Sequence, residues 1–341
     1  MYSVISIDNI SREEWGRFVY KHPNGNVFQT PEMYEVYKNT KNYEPVFIGV
    51  TDSTGEIVGT LLSVIQREFG GPLGILSSRC VTWGGPLIKD SLLTNEKNEI
   101  LSLILKKLND IVKRKALYME FRNLWDTNDS NRIFENNGYE WEDHLEIIID
   151  LTKGEKELWK EMNKKRRNAI RKAERIGLKI RMAQNLKDVE KIYNIYKDVY
   201  AHARHPLPHM SLFLNAYSIF SPKKMIVNMI AEYSGTYIGA ITLFAYKKMM
   251  YDWYAGAYIK QRNKHPNDIL PWMAMKWGIE HGYETFYFGG AGRPNEYYPV
   301  RDFKKKFGGV IVNFGRYKNI YHPLLLKSSM AGLKIIGGIK R

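Results

Sequence analysis

The residues of this sequence with the clearest chemical potential are basic, and many of them fall in one segment. Between Lys153 and Arg181 there are 12 Lys or Arg and four acidic residues, so this segment carries +8 of the net charge of +15. Helical spacing places five of these cations on one face, about 22 Å long at 1.5 Å per residue: Lys160, Lys164, Arg167, Arg171 and Arg175. Such a row matches several phosphates of a nucleic-acid backbone. The alternative is a solvated helix face.

A second group of cations, Arg301 with Lys304, Lys305 and Lys306, lies nearer the carboxyl end. If it converges with the basic helix, the two groups form a groove for a polyanion, in which Lys305 and Lys306 would contact RNA. Lys304 has a further potential role, because an ammonium group can stabilise the oxyanion that forms when an amine attacks an ester carbonyl. The alternative for Lys304 is non-specific RNA contact.

Two other motifs could line a binding site. Gly289-Gly290-Ala291-Gly292-Arg293 follows a predicted strand and fits neither common phosphate-binding fingerprint, so it indicates either a flexible turn or a close backbone approach to a ligand with Arg293 alongside. Tyr251-Asp252-Trp253-Tyr254 alternates like a strand, so it is either sheet core or a ligand wall. As a ligand wall it would offer Tyr254 to the substrate and the Asp252 carboxylate as a general base.

The histidines and the cysteine favour neither metal nor thiol chemistry. His202, His205 and His209 have ligand-like spacing, but the intervening prolines interrupt the helix that would align them, and no metal site is predicted. Cys80 is the single cysteine, which excludes a disulfide framework, and we expect a buried structural thiol.

Length and composition predict two packed domains. The chain has 341 residues, 44% of them hydrophobic and 13% aromatic, which excludes wholesale disorder. No apolar stretch approaches the ~18–20 residues of a spanning helix, and no signal-peptide core is visible. We therefore expect a cytoplasmic protein with an anionic partner. The stretch His322–Arg341 is expected to pack on the second half, or to rest on an anionic membrane at the inner face.

Hydrophobic periodicity and turn residues predict two α/β halves, a domain over residues 1–151 and a domain over residues 152–341. In the first half we predict helices over 12–20, 31–41, 95–114 and 129–136 and strands over 44–51, 57–66, 116–121 and 144–150. In the second half we predict helices over 155–176, 186–202 and 271–281 and strands over 225–233, 237–246, 249–257, 285–289 and 309–314. The loosely repeated order indicates a structural duplication.

Six stretches in chain order resemble the Fem family of peptidoglycan-bridge aminoacyltransferases. They are Val27-Phe28-Gln29-Thr30-Pro31 with Lys38, Trp83-Gly84-Gly85-Pro86, residues 163–173 (NKKRRNAIRKA) with Gly177, Arg204 after a helix, residues 271–277 (PWMAMKW) with Phe288-Gly289-Gly290, and residues 303–308 (FKKKFG). Together they cover nearly the whole chain.

The resemblance implies an α/β (α+β) fold of two tandem GNAT-type acyltransferase domains with mixed central sheets, in a compact form without the coiled-coil arm of some members. It implies transfer of an aminoacyl group from aminoacyl-tRNA, as a co-substrate and without a cofactor, to an amino group of a peptidoglycan-precursor peptide. The acceptor partner would be a nucleotide- or lipid-linked cell-wall precursor.

The resemblance also assigns individual residues. Lys38 and Arg204 occupy the positions of a lysine and an arginine that hold the precursor phosphates in the family. Phe303-Lys304 matches the Phe-Lys pair tied to the aminoacyl-tRNA end and to the reaction. The sequence departs from the family after Arg204, where residues 205–208 (HPLP) replace an expected tyrosine.

Two other functions stay open. One is an acyl-CoA-dependent N-acyltransferase acting on an amino sugar or a cell-envelope precursor. Such enzymes carry a [QR]-x-x-G-x-[GA] loop whose amides bind the CoA pyrophosphate at a helix N-terminus. The stretch 260–267 has no glycine, and Pro266 lacks an N–H, which favours aminoacyl-tRNA over CoA. The other function is a non-catalytic RNA-binding or membrane-peripheral module.

Overall fold

The computed structural model describes residues 1–337, apart from the side chains at positions 72, 73, 330 and 332–337, and divides into two compact units. The first unit holds Met1–Asp143 and the described chain from Phe314 onward, and the second holds His144–Asn313. The predicted boundary after residue 151 is therefore corrected. Residues 145–150 belong to the second unit because they pair with strands on both sides within its sheet.

The first unit begins with alternating helices and strands. Its strands up to residue 143 are β1 (Ser3–Ile5), β2 (Tyr43–Thr51), β3 (Ile57–Gln66), β4 (Arg79–Trp83), β5 (Leu87–Ile88), β6 (Tyr118–Arg122) and β7 (Glu140–Glu142). Its α-helices there are α1 (Arg12–Lys21), α2 (Pro31–Lys38), α3 (Thr94–Val112) and α4 (Asn131–Asn136). Cys80 of β4 is buried as predicted, and burial raises the pKa of its thiol.

The second unit contains the basic helix and the glycine-rich stretch. Its strands are β8 (Leu145–Asp150), β9 (Lys179–Met182), β10 (Ile226–Tyr233), β11 (Thr236–Tyr246), β12 (Met249–Ala257), β13 (Thr285–Gly290) and β14 (Val310–Asn313). Its α-helices are α5 (Gly154–Glu161), α6 (Lys164–Arg175), α7 (Leu186–Ala203), α8 (Met210–Phe220), α9 (Pro266–Glu280) and α10 (Pro299–Lys305).

The chain then returns to the first unit through β15 (Arg316–Ile320) and α11 (Pro323–Gly337). The strand β15 pairs antiparallel with both β6 and β7, and its buried Tyr317 stacks on Phe134 of α4 with ring centroids 3.8 Å apart. The expectation that the stretch from His322 packs on the second half is wrong, because α11 belongs to the first unit, where the Ser329 hydroxyl donates a hydrogen bond to the Leu76 carbonyl. The residues 338–341 of that stretch lie outside the described residues.

The two units share one arrangement of sheet and helix. The first sheet has the order β1-β2-β3-β4-β6-β15-β7, with β5 on β3, and the second has the order β14-β8-β13-β12-β11-β10-β9. Each is antiparallel except for one parallel pair, β4 with β6 and β12 with β13, joined through α3 and α9 respectively. This repeat confirms the predicted mixed sheets. In residues 1–337, no helix has the length and apolar character needed to span a bilayer.

The predicted basic helix over 155–176 is two helices, and this corrects the continuous row of cations. Met162 and Asn163 have extended ψ angles, and the Asn163 side chain accepts a hydrogen bond from the Lys165 N–H as the N-cap of α6. Lys160 therefore lies on α5, where it pairs with Glu157. The four remaining cations of the row lie on α6 and span about 17 Å.

Candidate active site

A cavity of about 500 Å³ lies in the second unit, where β12 and β13 separate. The two strands pair from Met249 with Thr285 to Tyr251 with Tyr287, so the outer half of β12 lies beyond this pairing. Five aromatic side chains and three ionisable ones are among those lining the cavity: Tyr200, Trp253, Tyr254, Phe288, Phe303, Asp252, Arg262 and Lys304. A cleft with mostly apolar walls and a few charged groups is the usual form of a substrate pocket.

A β-bulge in β12 sets the directions of the cavity side chains. Leu243 of β11 pairs with Asp252 and Thr242 pairs with Tyr254, so Trp253 is the extra residue. The ring of Trp253 packs 4.4 Å from that of Phe244. Because a bulge breaks the alternation of a strand, Asp252, Trp253 and Tyr254 can all line one cavity. The ligand-wall interpretation of this stretch fits the geometry better than the core interpretation.

Lys304 reaches the notch between the two separating strands. Its Nζ donates a hydrogen bond to the Gly290 carbonyl at 2.9 Å and lies 5.4 Å from the centroid of the Phe288 ring. Gly289 has φ +76°, a conformation that favours glycine, and a Cβ there would lie at an ordinary contact distance of 3.7 Å from the Lys304 Nζ. Burial lowers the pKa of Lys304, and the charges of Asp252 and Glu146 partly oppose that shift. The glycine-rich stretch thus accommodates a lysine of the chain itself.

Asp252 is the carboxyl group of this cavity. Burial raises the pKa of Asp252 to about 7, although the Lys304 charge acts in the opposite direction. A carboxyl group with this pKa can accept a proton near neutral pH and release it again. Burial, with the Asp252 charge, also raises the pKa of the neighbouring Tyr200 phenol, which stays neutral.

Phe303 is held by a residue that the sequence patterns did not single out. The Arg166 guanidinium lies 4.3 Å from the centroid of the Phe303 ring and 5.1 Å from that of Phe307. It also forms an ion pair with Asp268 in the first turn of α9. Arg166 belongs to the cation-rich segment but lies off the predicted face, so helical spacing assigned it no role. The sequence feature that could have drawn attention to it is the pair of adjacent arginines at positions 166–167.

The other predicted substrate contacts lie elsewhere. Arg293 is exposed, its side chain lies 3.5 Å from Glu296, and it does not line the cavity. Arg301 fixes this loop by donating hydrogen bonds to the carbonyls of Arg293, Pro294 and Glu296. Arg293 thus lies on a loop held by Arg301, outside the cavity that Pro299 and Val300 of the same chain segment line.

The two residues assigned to precursor phosphates by resemblance are both exposed. Arg204 is the C-cap of α7 in the left-handed region, at φ +54°, and does not line the cavity. Lys38 is the last residue of α2 in the first unit. Their roles stay predictions.

The second group of cations lies next to the start of the basic helix. The Asn163 N–H donates to the Lys306 carbonyl at 2.9 Å, which joins the end of α10 to the N-cap of α6. Lys305 and Lys306 are exposed, as are five of the cations of α6, and Arg167 is half-buried. In the part of the chain that the structure describes, no carboxylate pairs with Lys164, Lys165, Lys172 or Arg175. We call these four cations, together with Arg167, Arg171, Lys305 and Lys306, the α6 surface. This surface is available to a polyanion.

The segment that would bind a CoA pyrophosphate is not a glycine loop. Residues 259–264 form a 3-10 turn, His265 is left-handed at φ +63°, and α9 begins at Pro266 rather than at the predicted Pro271. Pro271 lies inside the helix and has no N–H for the Asn267 carbonyl. Asn267 and Pro271 both line the cavity.

Comparison with known proteins places the chain among acyltransferases. Residues 10–141 match a family model described as the FemAB family, and residues 160–305 match an acetyltransferase (GNAT) domain. A comparison with curated protein sequences gives no match.

Among solved structures, a crystal structure of FemX superposes with a TM-score of 0.71 at 16% identity, over 96% of this chain and 99% of that one. The C-terminal domain of a putative lysylphosphatidylglycerol synthetase from Agrobacterium fabrum gives 0.57 at 14% identity, over 97% of each chain. A tandem GNAT protein from the clavulanic acid biosynthesis pathway gives 0.56 at 9% identity, over 94% of this chain and 99% of that one. These likenesses confirm the predicted tandem GNAT-type fold.

Proposed function

We propose that this chain, an acyltransferase whose residues 10–141 match the FemAB family, moves an amino acid from aminoacyl-tRNA to the amino group of a peptidoglycan-precursor peptide or a related cell-envelope acceptor. The observation that carries the proposal is the Asp252–Lys304 cavity in the same unit as the unpaired cations of the α6 surface. Because aminoacyl-tRNA is supplied in the cytoplasm, we expect the reaction to occur there. With a lipid-linked acceptor it would occur at the inner face of the membrane.

The proposed reaction begins with the acceptor amine. Asp252 takes a proton from the acceptor ammonium, and the free amine attacks the carbonyl carbon of the aminoacyl ester. A C–N bond forms while the carbonyl oxygen becomes negative, and the Lys304 ammonium stabilises that oxyanion. The C–O bond to the ribose then breaks, and the ribose oxygen takes up the proton held by Asp252. The regenerated Asp252 carboxylate accepts the extra proton from the new amide nitrogen and passes it to solvent. Because the ester is already activated, orientation of the two substrates supplies much of the acceleration, roughly 7–11 kcal/mol at best.

The aromatic walls suit the same substrates. Tyr254 and Phe303 exclude water from the ester and offer ring faces to a protonated amine before it reaches Asp252. The α6 surface would hold the acceptor stem of the tRNA through its phosphates. Lys38 and Arg204 would hold the phosphates of the precursor, which is a role that rests on the family resemblance.

One observation favours a second candidate, an acyl-CoA-dependent N-acyltransferase. The outer half of β12, residues 252–257, lies beyond the pairing with β13 and lines the cavity, where its backbone could hydrogen-bond an extended pantetheine chain. The segment 259–266 argues against it, because it has no glycine and begins α9 with a proline that cannot donate to a pyrophosphate.

A binding and transfer comparison separates the two candidates. We expect isothermal titration to show binding of charged tRNA, and single-turnover assays to show transfer from aminoacyl-tRNA to a precursor peptide and none from acyl-CoA. Affinity for tRNA should fall steeply with salt, with a logarithmic slope of about −0.7 to −0.9 per phosphate contacted. Reversing Lys164 and Arg175 to Glu should lower that slope by about two contacts. Transfer from acyl-CoA with tRNA inert, or salt-independent tRNA binding, would contradict the proposal.

A further inference from the structure

We propose that the first unit carries a docking surface for an anionic lipid bilayer, formed by the start of α11 and the loop over residues 67–77. Leu324 and Leu325 of α11 are 79% and 43% exposed, and Phe69 and Ile75 of the loop are 44% and 39% exposed. Single exposed apolar residues are ordinary, but four large ones on two adjoining elements indicate a contact surface. We call these four residues with Lys327 the α11 surface.

Hydrogen bonds hold the loop and the helix together. The backbone N–H groups of Glu68 and Phe69 donate to the Ser77 hydroxyl at 3.0 and 3.2 Å, which closes the loop. The Ser329 hydroxyl of α11 donates to the Leu76 carbonyl. Leu325 lies one turn before Ser329 and so on the same side of the helix. Leu325 therefore lies on the side of α11 that faces the loop carrying Ile75.

Other contacts fix the amino end of the helix. The His322 Nε2 donates to the Lys113 carbonyl at 2.7 Å, and Leu326 is buried. The helix is thus fastened on one side through Leu326 and Ser329. Leu324 and Lys327 remain exposed on the surface of the unit.

The charge of this segment selects an anionic occupant. From Pro323 to Arg341 the sequence has four cations, Lys327, Lys334, Lys340 and Arg341, and no acidic residue. Apolar side chains beside lysines are typical of helices that lie at a bilayer surface, where the leucines enter the acyl boundary and the ammonium groups meet lipid phosphates. Each lysine near such a surface contributes about 1 kcal/mol. RNA is a poorer fit, because three of the four apolar side chains, Leu324, Leu325 and Ile75, offer it neither charge nor a stacking ring.

Vesicle flotation with the full chain tests this surface without any catalytic assay. We expect the protein to float with phosphatidylcholine vesicles that contain phosphatidylglycerol, and not with phosphatidylcholine alone, at physiological salt. The double variant Leu324→Ser with Leu325→Ser should lower the partition coefficient about tenfold or more through lost apolar insertion. Lys327→Glu should lower it about tenfold by reversing one charge.

A matched control uses exposed apolar residues of the same unit outside the α11 surface. Val4→Ser with Tyr20→Ser, at positions 39% and 61% exposed, should leave flotation unchanged. Equal binding to both vesicle types, or equal loss in the control, overturns the proposal. So does light scattering that shows self-association of the wild type, lost in the leucine variant, without vesicle binding. That result would make the patch an interface between copies.

Discussion

The Arg166 guanidinium lies 4.3 Å from the centroid of the Phe303 ring while it pairs with Asp268 of α9. Phe303 precedes Lys304 on α10, so one side chain of the basic helix α6 fixes the helix that carries the cavity lysine. Burial lowers the pKa of Arg166 to about 10, so its charge persists at neutral pH. Its Nε is buried and has no hydrogen-bond partner in the described structure. Arg166 therefore links the helix that carries the α6 surface to the helix that carries the cavity lysine.

Replacing Arg166 should impair turnover without removing a group that touches substrate. Arg166→Met keeps much of the volume but deletes the charge that holds Phe303 and Asp268, so we expect kcat to fall about tenfold with a smaller change in KM for the donor. Arg171→Met on the same helix is the control, because Arg171 lies over Trp159, 5.4 Å from its centroid, and away from α10. Single-turnover rates and donor titrations measure the two effects. Equal losses of kcat in both variants would contradict the positioning role.

The adjoining lysines of α10 should differ sharply. Lys304 lies in the cavity with its ammonium 2.9 Å from the Gly290 carbonyl, whereas Lys305 is exposed. Lys304→Ala removes the group proposed to stabilise the oxyanion and should slow transfer about 10²–10³-fold. Lys305→Ala removes one phosphate contact and should mainly weaken tRNA binding. Comparable single-turnover rates at saturating tRNA would rule out the assignment of Lys304.

The pH dependence should report Asp252. Because burial raises the pKa of Asp252 to about 7, the carboxylate is available as a base above that pH and is lost below it. The single-turnover rate should rise as the pH increases through about 7. It should fall again at alkaline pH, where Lys304 loses its proton. Because burial lowers the pKa of Lys304, this fall should begin below the ordinary lysine pKa of 10.5.

Two variants give this profile its control. Asp252→Asn should slow transfer about 10²–10⁴-fold and abolish the acid limb, since no carboxyl group is left to titrate. Asp302→Asn, on the exposed face of α10, should keep the wild-type profile. An acid limb near 7 that persists in Asp252→Asn would assign the titration to another group.

Local patterns predicted many of the elements, but they missed α8, β4 and β15 among others, and they did not predict the exchange of strands between units. The spacing of Ile100, Leu101, Ile104 and Leu108 correctly predicted α3, because burial on one face of a helix is periodic in sequence. The boundary was wrong because β8 and β15 each pair with strands distant in sequence, and no local pattern carries pairing information. The break between α5 and α6 rests on the Asn163 cap, which the strong charge periodicity obscured.

The residues of the candidate site divide in the same way, into those that short motifs predicted and those that only tertiary packing reveals. The residues Asp252, Tyr254, Phe303 and Lys304, named from short motifs and family resemblance, all line one cavity. Arg166 and Tyr200 could not be predicted, because they reach Phe303 and the cavity only through tertiary packing. Arg293 was assigned from its position beside glycines, but Arg301 holds that loop in a shape that leaves the Arg293 side chain exposed.

The last prediction concerns Glu120, which ties the returning strand β15 to β6. Burial alone would raise the pKa of Glu120, but the charges of Arg122 and Arg316 lower it from 4.5 to about 2. A carboxylate with a lowered pKa contributes stability that is present above its unfolded pKa and is lost as the pH falls through the folded value. The shift corresponds to about 3 kcal/mol. The free energy of unfolding of the wild type, measured in urea, should therefore fall by about 3 kcal/mol between pH 4.5 and pH 2 through Glu120.

Two variants test this prediction. Glu120→Gln should be less stable at pH 7, and its stability should fall less as the pH is lowered. Glu13→Gln, at an exposed pair with Arg17, should change the free energy of unfolding by less than about 1 kcal/mol. An acid limb unchanged in Glu120→Gln would mean that this ion pair does not hold β15 in the first sheet.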